Sequence, residues 1–409
     1  TIIADTVGTS SSTGAPIAAS ASATSATSYG NNASHITITN NVVKGGYYGI
    51  VASGASTSGK ISDWTITGND VSLQYYYNVR CYYTTGFNVS NNHCHDTRAS
   101  GGYGLMMYYS NDFEIVGNNL PAKSYGLYLY YPNVYDATGS TGYTPATQSL
   151  VANNMVKGGT YGSYMYSPRY VNFYHNTYSG NTYGVYFGTT TTTGAKATHL
   201  DIRNNIYVSN TNYAIYVPTE PDSMIALDYN VYNTNGSNLA YWAGAKSTLS
   251  AWQTSNPTLN ASSVDQPVTF IGVDDLHLIT GANNLGTPIS SVTTDIDGDV
   301  RSTTTPDIGA DEYTPIADDA RIEDILGASG GCGDSTIAIY VAFQNFGLDT
   351  ITSMSAEVKV TDPNANVTTL TATYAGALAP LDYDTVMVGT INTYAGGTYS
   401  FLGYTQLAN

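Results

Sequence analysis

Between Ile36 and Val231 one short phrase returns eight times: an apolar residue, two variable residues, Asn, one variable residue and, in most copies, a second apolar residue. It runs Ile38 to Asn41, Ile66 to Asn69, Val89 to Asn92, Ile115 to Asn118, Leu150 to Asn153, Phe173 to Asn176, Ile202 to Asn205 and Leu227 to Asn230. The Asn-to-Asn intervals are 28, 23, 26, 35, 23, 29 and 25 residues. A period in the twenties, with the excess gathered into occasional insertions, is the mark of a solenoid. In such a chain each unit buries its apolar face only against its neighbours.

A second phrase follows in phase. After most of these Asn residues comes Tyr-Gly or a near copy, at Tyr48, Tyr77, Tyr103, Tyr125, Tyr161, Tyr183 and Tyr213. Each opens an alternating run such as Gly126-Leu-Tyr-Leu-Tyr130, and alternation with period two means strand. Counting from the Tyr, the second and fourth residues are expected to point inward. They are Ile50, Val79, Leu105, Leu127, Val185 and Ile215, then Ala52, Cys81, Met107, Leu129, Met165, Phe187 and Val217. The third and fifth point outward, and they include Tyr128, Tyr164, Tyr186 and Tyr216, then Tyr82, Tyr108, Tyr130 and Tyr166. Two Tyr ladders are thus expected up one exposed face, with a step of about 4.8 Å per coil. They serve either as cross-strand stabilisation or as a binding platform for glycan rings or a partner protein.

The Asn column (Asn41, Asn69, Asn92, Asn118, Asn153, Asn176, Asn205, Asn230) has a physical reason to exist. Asn tolerates the left-handed bend of a strand corner. Its amide can also donate to and accept from the Asn of the next coil, satisfying polar groups that would otherwise be buried unpaired. Coil length, Asn turn and apolar-x-apolar strands together resemble the pectate-lyase-like β-helix superfamily. The resemblance implies an all-β chain built as a right-handed parallel β-helix.

The boundaries follow from where the repeat fails. Residues 1–35, rich in Ser, Ala and Thr, read as an N-terminal cap or irregular early coils, and 36–233 as the repeats. Three insertions, His93 to Gly102, Tyr131 to Gln148 and Gly188 to Thr198, interrupt them. Residues 234–316 lose the clean repeat, and from Asp228 onward come Asp228-Tyr-Asn-Val-Tyr-Asn233, Trp252 with Asn256-Pro257, Asp275-Leu-His-Leu278, Asp295-Ile-Asp-Gly-Asp-Val-Arg301 and Pro306-Asp-Ile-Gly-Ala-Asp-Glu-Tyr313. This package resembles the C-terminal part of many secreted bacterial β-helix proteins and implies the closing turns and cap. Asp295, Asp297 and Asp299 alternate like calcium ligands, but no bidentate Glu follows at EF-hand spacing, so a capping hydrogen-bond network is the expected role. In 320–409 four alternating runs separated by turns at Asn345-Phe-Gly347 and Asp362-Pro-Asn364 predict a small β-sandwich. Cys332 and the following strand resemble immunoglobulin-like modules of Bacteroidota surface proteins, which implies a surface location and export by the type IX route.

With a net charge of −17 and only 13 Lys and Arg, the chain lacks the basic patches that nucleic acid or an anionic membrane needs. No apolar run approaches a membrane span. No leader pattern opens the chain, so residue 1 is expected to be a processed or internal start of a longer secreted protein. Cys81 and Cys94 fall in different phases of neighbouring coils, which argues against a bridge.

Relatives in that superfamily include polysaccharide lyases and glycosidases, so chemistry must be weighed. Acids and bases are scarce in the repeats. Their one concentration is Arg80, His93, His95, Asp96 and Arg98, for which a solvated loop with structural ion pairs is the plainer reading. His93 and His95 share a strand face, but no third metal ligand is evident. No opposed carboxylate pair of the glycosidase kind is visible. The expectation is a non-catalytic extracellular surface protein, an adhesin, filament or surface-layer component. Its Tyr-rich face would contact polysaccharide, another surface protein or sister subunits. The alternative is a polysaccharide lyase or glycoside hydrolase. No cofactor other than calcium at Asp295, Asp297 and Asp299 is suggested.

Overall fold

Between Thr37 and Trp242 each of eight coils carries a strand in each of three sheets, and equivalent strands of successive coils pair in parallel. The computed structural model describes residues 1–6, 14–30, 33–134, 143–192, 195–327, 336–394 and 396–407. Cys332 and part of the Tyr131–Gln148 and Gly188–Thr198 insertions lie outside them. The chain divides into two units, residues 1–313 and 314–409.

In the first unit three sheets form the walls of a parallel β-helix. The first has eight strands, from Thr37–Thr39 to Met224–Asp228. The second has ten, from Ile2–Ile3 to Val264–Asp265, and the third has ten, from Ile17–Ala19 to Ala245–Lys246. Residues 1–30 thus contribute strands to the second and third sheets, paired in parallel with Val42–Lys44 and Tyr48–Ser53. The alternation explains the interior. All thirteen inward positions expected on the third sheet, from Ile50 and Ala52 to Ile215 and Val217, are at most 4% exposed. Cys81 and Cys94 are buried and free.

The Asn column runs between the first and second sheets. Nδ2 of Asn69 donates to Oδ1 of Asn92 at 2.9 Å, and the chain of amides continues through Asn118, Asn154, Asn176, Asn205 and Asn230 at 2.9–3.1 Å. Asn41 begins it at 3.3 Å, and the Asn230 N–H ends it on Ser263 Oγ at 3.0 Å. Two expectations are corrected here. The fifth member is Asn154, not Asn153, because Val151, not Leu150, pairs with Ile115 and Phe173 at the inward position. Moreover, the left-handed bend belongs to the residue before each ladder Asn. Asn40, Gly68, Asn91, Gly117, Asn153, His175, Asn204 and Tyr229 have φ between 50° and 67°. At Gly68 and Gly117 a Cβ would also come within 2.2 Å and 2.3 Å of the Asn40 and Asn91 side chains. The bend turns the next residue inward, so the corner and the ladder are separate columns one residue apart.

The segment 234–313 departs from the expected terminal cap. Only its start closes the coil end. There the helix Leu249–Ser255, capped by Thr248, seats the fully buried Trp252 against Tyr232 and Trp242. Residues 264–313 instead run back along the outside of the second sheet. Leu278, Ala282 and Ile308 cover Ile206 and Val231, and Leu276 and Ala310 cover Met155. Arg301 clasps this flank to the coils. Its Nη2 donates to Asn153 Oδ1 at 2.9 Å and to the Gly309 and Ala310 carbonyls, while Nη1 meets Glu312 at 3.1 Å.

The second unit holds two three-stranded antiparallel sheets: Ala320–Leu326, Ile337–Asn345 and Tyr383–Ile391; and Val367–Leu378, Ile351–Thr361 and Ser400–Leu407. Alternate residues of both, among them Ile339, Val341, Phe343, Met354, Ala356 and Val358, share one apolar core.

Candidate functional site

Parallel pairing in register stacks like on like, and on the outer face of the third sheet the stacked residue is Tyr. One column is Tyr128, Tyr164, Tyr186, Tyr216 and Tyr241, with ring centroids 4.7–5.1 Å apart. A second is Tyr82, Tyr108, Tyr130 and Tyr166, at 4.3–4.9 Å and within 16° of parallel. A third column was missed by the outward count. It is the series of opening Tyr residues themselves, Tyr48, Tyr77, Tyr103, Tyr125, Tyr161, Tyr183 and Tyr213, at 4.5–6.3 Å. Alternation places it inward, yet these rings pack against the outward Tyr128, Tyr164 and Tyr186, so they also lie outside. The first and third columns meet edge to face, as at Tyr125–Tyr128 (85°) and Tyr161–Tyr164 (84°).

This packing changes what the face offers. The Tyr-rich outer face is there as expected, but nearly all of these Tyr residues are only partly exposed, and rings stacked this closely leave no gap for a sugar between them. Solvent meets ring edges and phenol hydroxyls. Burial, reinforced by neighbouring Tyr, pushes the hydroxyls of Tyr103, Tyr108, Tyr128 and Tyr164 well above the usual phenol range. They therefore stay protonated as donors across the physiological range.

Arg80 belongs to this face and not with the histidines. It lies in register below Met106 and Tyr128, its guanidinium 3.9 Å from the Tyr82 ring centroid and 5.6 Å from that of Tyr48. His93, His95 and Asp96 lie on the outer face of the second sheet, in a groove of about 420 Å³ that Lys123, Lys157 and Asp274 also line. The two imidazoles stack at 4.2 Å. Both nitrogens of His95 are engaged, Nδ1 by Asp96 at 2.7 Å and Nε2 by Asp70 at 3.1 Å. His93 carries the freer ring, and burial followed by the charge of His95 lowers its pKa. Arg98 turns away, donating to the Gly46 carbonyl at 3.4 Å over the Tyr75 ring. Lys157 pairs with Asp274 of the flank at 2.6 Å. The groove thus holds the His93 imidazole and the Lys123 ammonium beside the Asp96 carboxylate and the Lys157–Asp274 pair, a base and a cation among acids.

Asp295 organises a hydrogen-bond network. Both Asp295 oxygens are taken by backbone amides, those of Asp297 (2.9 Å), Asp299 (2.8 Å) and Glu312 (2.9 Å), and Asp297 points to His277 instead. A further cluster escaped sequence reasoning because its members are far apart in the chain. Lys60 donates to the Tyr109 carbonyl near Asp112, which accepts from Tyr143 and Thr85. Burial pulls the Lys60 ammonium down to about 7.

A family model described as a right-handed β-helix region matches residues 29–199. The solenoid is a right-handed parallel β-helix. No curated protein matches the chain. Among solved structures it is similar to a tailspike protein of Acinetobacter baumannii bacteriophage Fri1, a capsular polysaccharide depolymerase, at 9% identity and a TM-score of 0.23 over 92% of this chain and 86% of that one. It is also similar to full-length tailspike protein 2 of Escherichia coli O157:H7 bacteriophage CAB120, at 10% identity and TM-score 0.22, over 94% of this chain and 62% of that one. The Dettilon tailspike protein gives 12% identity and TM-score 0.20, over 90% and 80%. Likeness at this level carries no residue-by-residue correspondence. Among the described residues, no helix is long and apolar enough to cross a membrane.

Proposed function

We propose that the chain is a non-catalytic extracellular binding protein, an adhesin, filament or surface-layer component, whose Tyr face contacts a polysaccharide. The observation that carries this reading is the unbroken run of Tyr in register, from Tyr128 to Tyr241 in one column and Tyr48 to Tyr213 in another. Each coil adds hydroxyls at a step of about 4.8 Å, a regular comb of donors and acceptors for a polymer of hydroxyl groups. With a net charge of −17, a neutral or weakly charged polymer is the fitting partner. Stacking fixes the rings before any ligand arrives, so little side-chain entropy is lost on contact.

The test keeps the rings and removes the comb. A Tyr128→Phe/Tyr164→Phe/Tyr186→Phe variant is expected to retain the fold by circular dichroism and to lose at least tenfold in affinity for neutral polysaccharides in affinity electrophoresis. Undiminished binding in that variant would refute the hydroxyl-comb reading. Binding only to other proteins, or concentration-dependent self-association that the variant abolishes, would replace the glycan with a protein partner.

The groove favours a second reading, a polysaccharide lyase or glycosidase, because it places His93 beside Lys123 and Lys157. Release of unsaturated uronates or new reducing ends, abolished in His93→Ala, would establish it. Silence across a panel of acidic and neutral polysaccharides would dismiss it.

A further inference from the structure

We propose that His277, Asp297 and Asp311 bind a divalent transition-metal ion of the zinc type, tying three parts of the flanking segment together. One ligand atom from each of the three lies within 4.8 Å of the others. Donors 2.0–2.2 Å from a tetrahedral ion sit about 3.4 Å apart, so modest side-chain rotations close the site. His277 is already oriented as metal-bound histidines are: Nδ1 is held by the Asp275 carboxylate, leaving Nε2 to face Asp297 at 2.9 Å. Asp297 is placed by the turn that Asp295 organises through the Asp297 and Asp299 amides.

Asp311 supplies the buried ligand of the cluster. It is 6% exposed, and its Oδ2 accepts only the Leu278 N–H at 2.7 Å. Among the described residues no Lys or Arg forms an ion pair with it. Its cationic neighbour is His277, on which the Asp275 and Asp297 carboxylates also converge. With the His277 ring proton displaced by the ion, the imidazole and two carboxylates would balance a 2+ charge. The imidazole selects zinc-type ions over calcium, which takes oxygen ligands. The three ligands come from the lead-in to the strand Leu278–Thr280, from the 295–299 turn and from the run after Ile308, so a bound ion would cross-link the flank near the Arg301 clasp.

The experiment is calorimetric titration of the full chain, stripped with chelator, with Zn²⁺, and separately with Co²⁺ followed by visible absorption. Wild type is expected to bind one Zn²⁺ and to show Co²⁺ bands. His277→Gln and Asp297→Asn are each expected to weaken that binding at least tenfold, and Ca²⁺ is expected to give no heat. His95→Gln serves as the control, since His93, His95, Asp70 and Asp96 form another histidine–carboxylate grouping in the first unit. Absence of Zn²⁺ heat and Co²⁺ bands in wild type would overturn the proposal whatever the variants do. So would binding that survives both His277→Gln and Asp297→Asn, or that is lost in His95→Gln instead.

Discussion

Replacing Asn154 by Ala tests the amide ladder at its best-satisfied rung. Its side chain, fully buried, donates from Nδ2 to the Ile115 carbonyl (2.8 Å), the Ala152 carbonyl (2.9 Å) and Asn176 Oδ1 (2.9 Å). Its Oδ1 accepts from the Asn118 main-chain N–H (3.0 Å) and Asn118 Nδ2 (2.9 Å). Ala removes all five bonds. Asn118 Nδ2 keeps the Val89 carbonyl and Asn176 Oδ1 keeps the Asn154 N–H, but the buried Asn118 N–H is orphaned. An orphaned buried amide costs about 1–3 kcal/mol, and the lost bonds and the cavity bring the expected total to about 3–5 kcal/mol. Asn41 is the contrast. At the open end of the ladder it makes two side-chain bonds, at 3.0 and 3.3 Å, so Asn41→Ala is expected to cost at most about 1 kcal/mol. Guanidinium unfolding followed by Trp fluorescence reads the right unit, because Trp64, Trp242 and Trp252 all lie within residues 1–313. The difference is taken as the shift in midpoint at constant slope. An Asn154→Ala within 1 kcal/mol of wild type, or an Asn41→Ala just as damaging, would refute the ladder as the source of stability.

Lys60, with a folded-state pKa of about 7 against 10.5 unfolded, binds its proton less well when folded, so it costs stability at neutral pH and that cost fades as pH rises from about 7 towards 10.5. Lys60→Met is therefore expected to raise the melting temperature most at pH 6–7 and progressively less by pH 9.5; a gap that stays constant with pH would contradict this. Arg301→Gln is expected to loosen the flank, since the guanidinium meets Asn153, Gly309, Ala310 and Glu312 at 2.9–3.1 Å. Limited proteolysis should then cut within 264–313 first, and a digestion pattern identical to wild type would show that the clasp is dispensable.

The solenoid was legible because its physics repeats. An apolar residue must face inward once per strand, and each coil restates that demand from Ile38 to Leu227. The slip at the fifth coil shows the limit. Leu150 and Val151 are both apolar and Asn153 and Asn154 are both Asn, so only pairing with Ile115 and Phe173 decides which of each faces inward. The outward Tyr positions could be read from alternation. Their face-to-face closure could not, because it depends on ring rotation and inter-coil spacing. The flank was illegible for a different reason. It has no period, and its decisive contacts, such as Arg301 with Asn153, join residues 148 positions apart. The same holds for His277 with Asp297 and for Lys60 near Asp112, where nothing in the local pattern announces the partner.

The flank also imposes an order of events on folding. Each coil closes mainly against the one before it, so contacts within the solenoid are short in sequence and can form as the chain emerges. Met155, Ile206 and Val231 are different: their outward side chains wait for residues 264–313. Until that segment is made, the later coils present a bare apolar wall to the surroundings, the kind of surface that recruits chaperones or other nascent chains. The last part of the unit to be synthesised is therefore the lock on its middle, and a ribosome stalled between the two would hold a solenoid that is wound but unsealed.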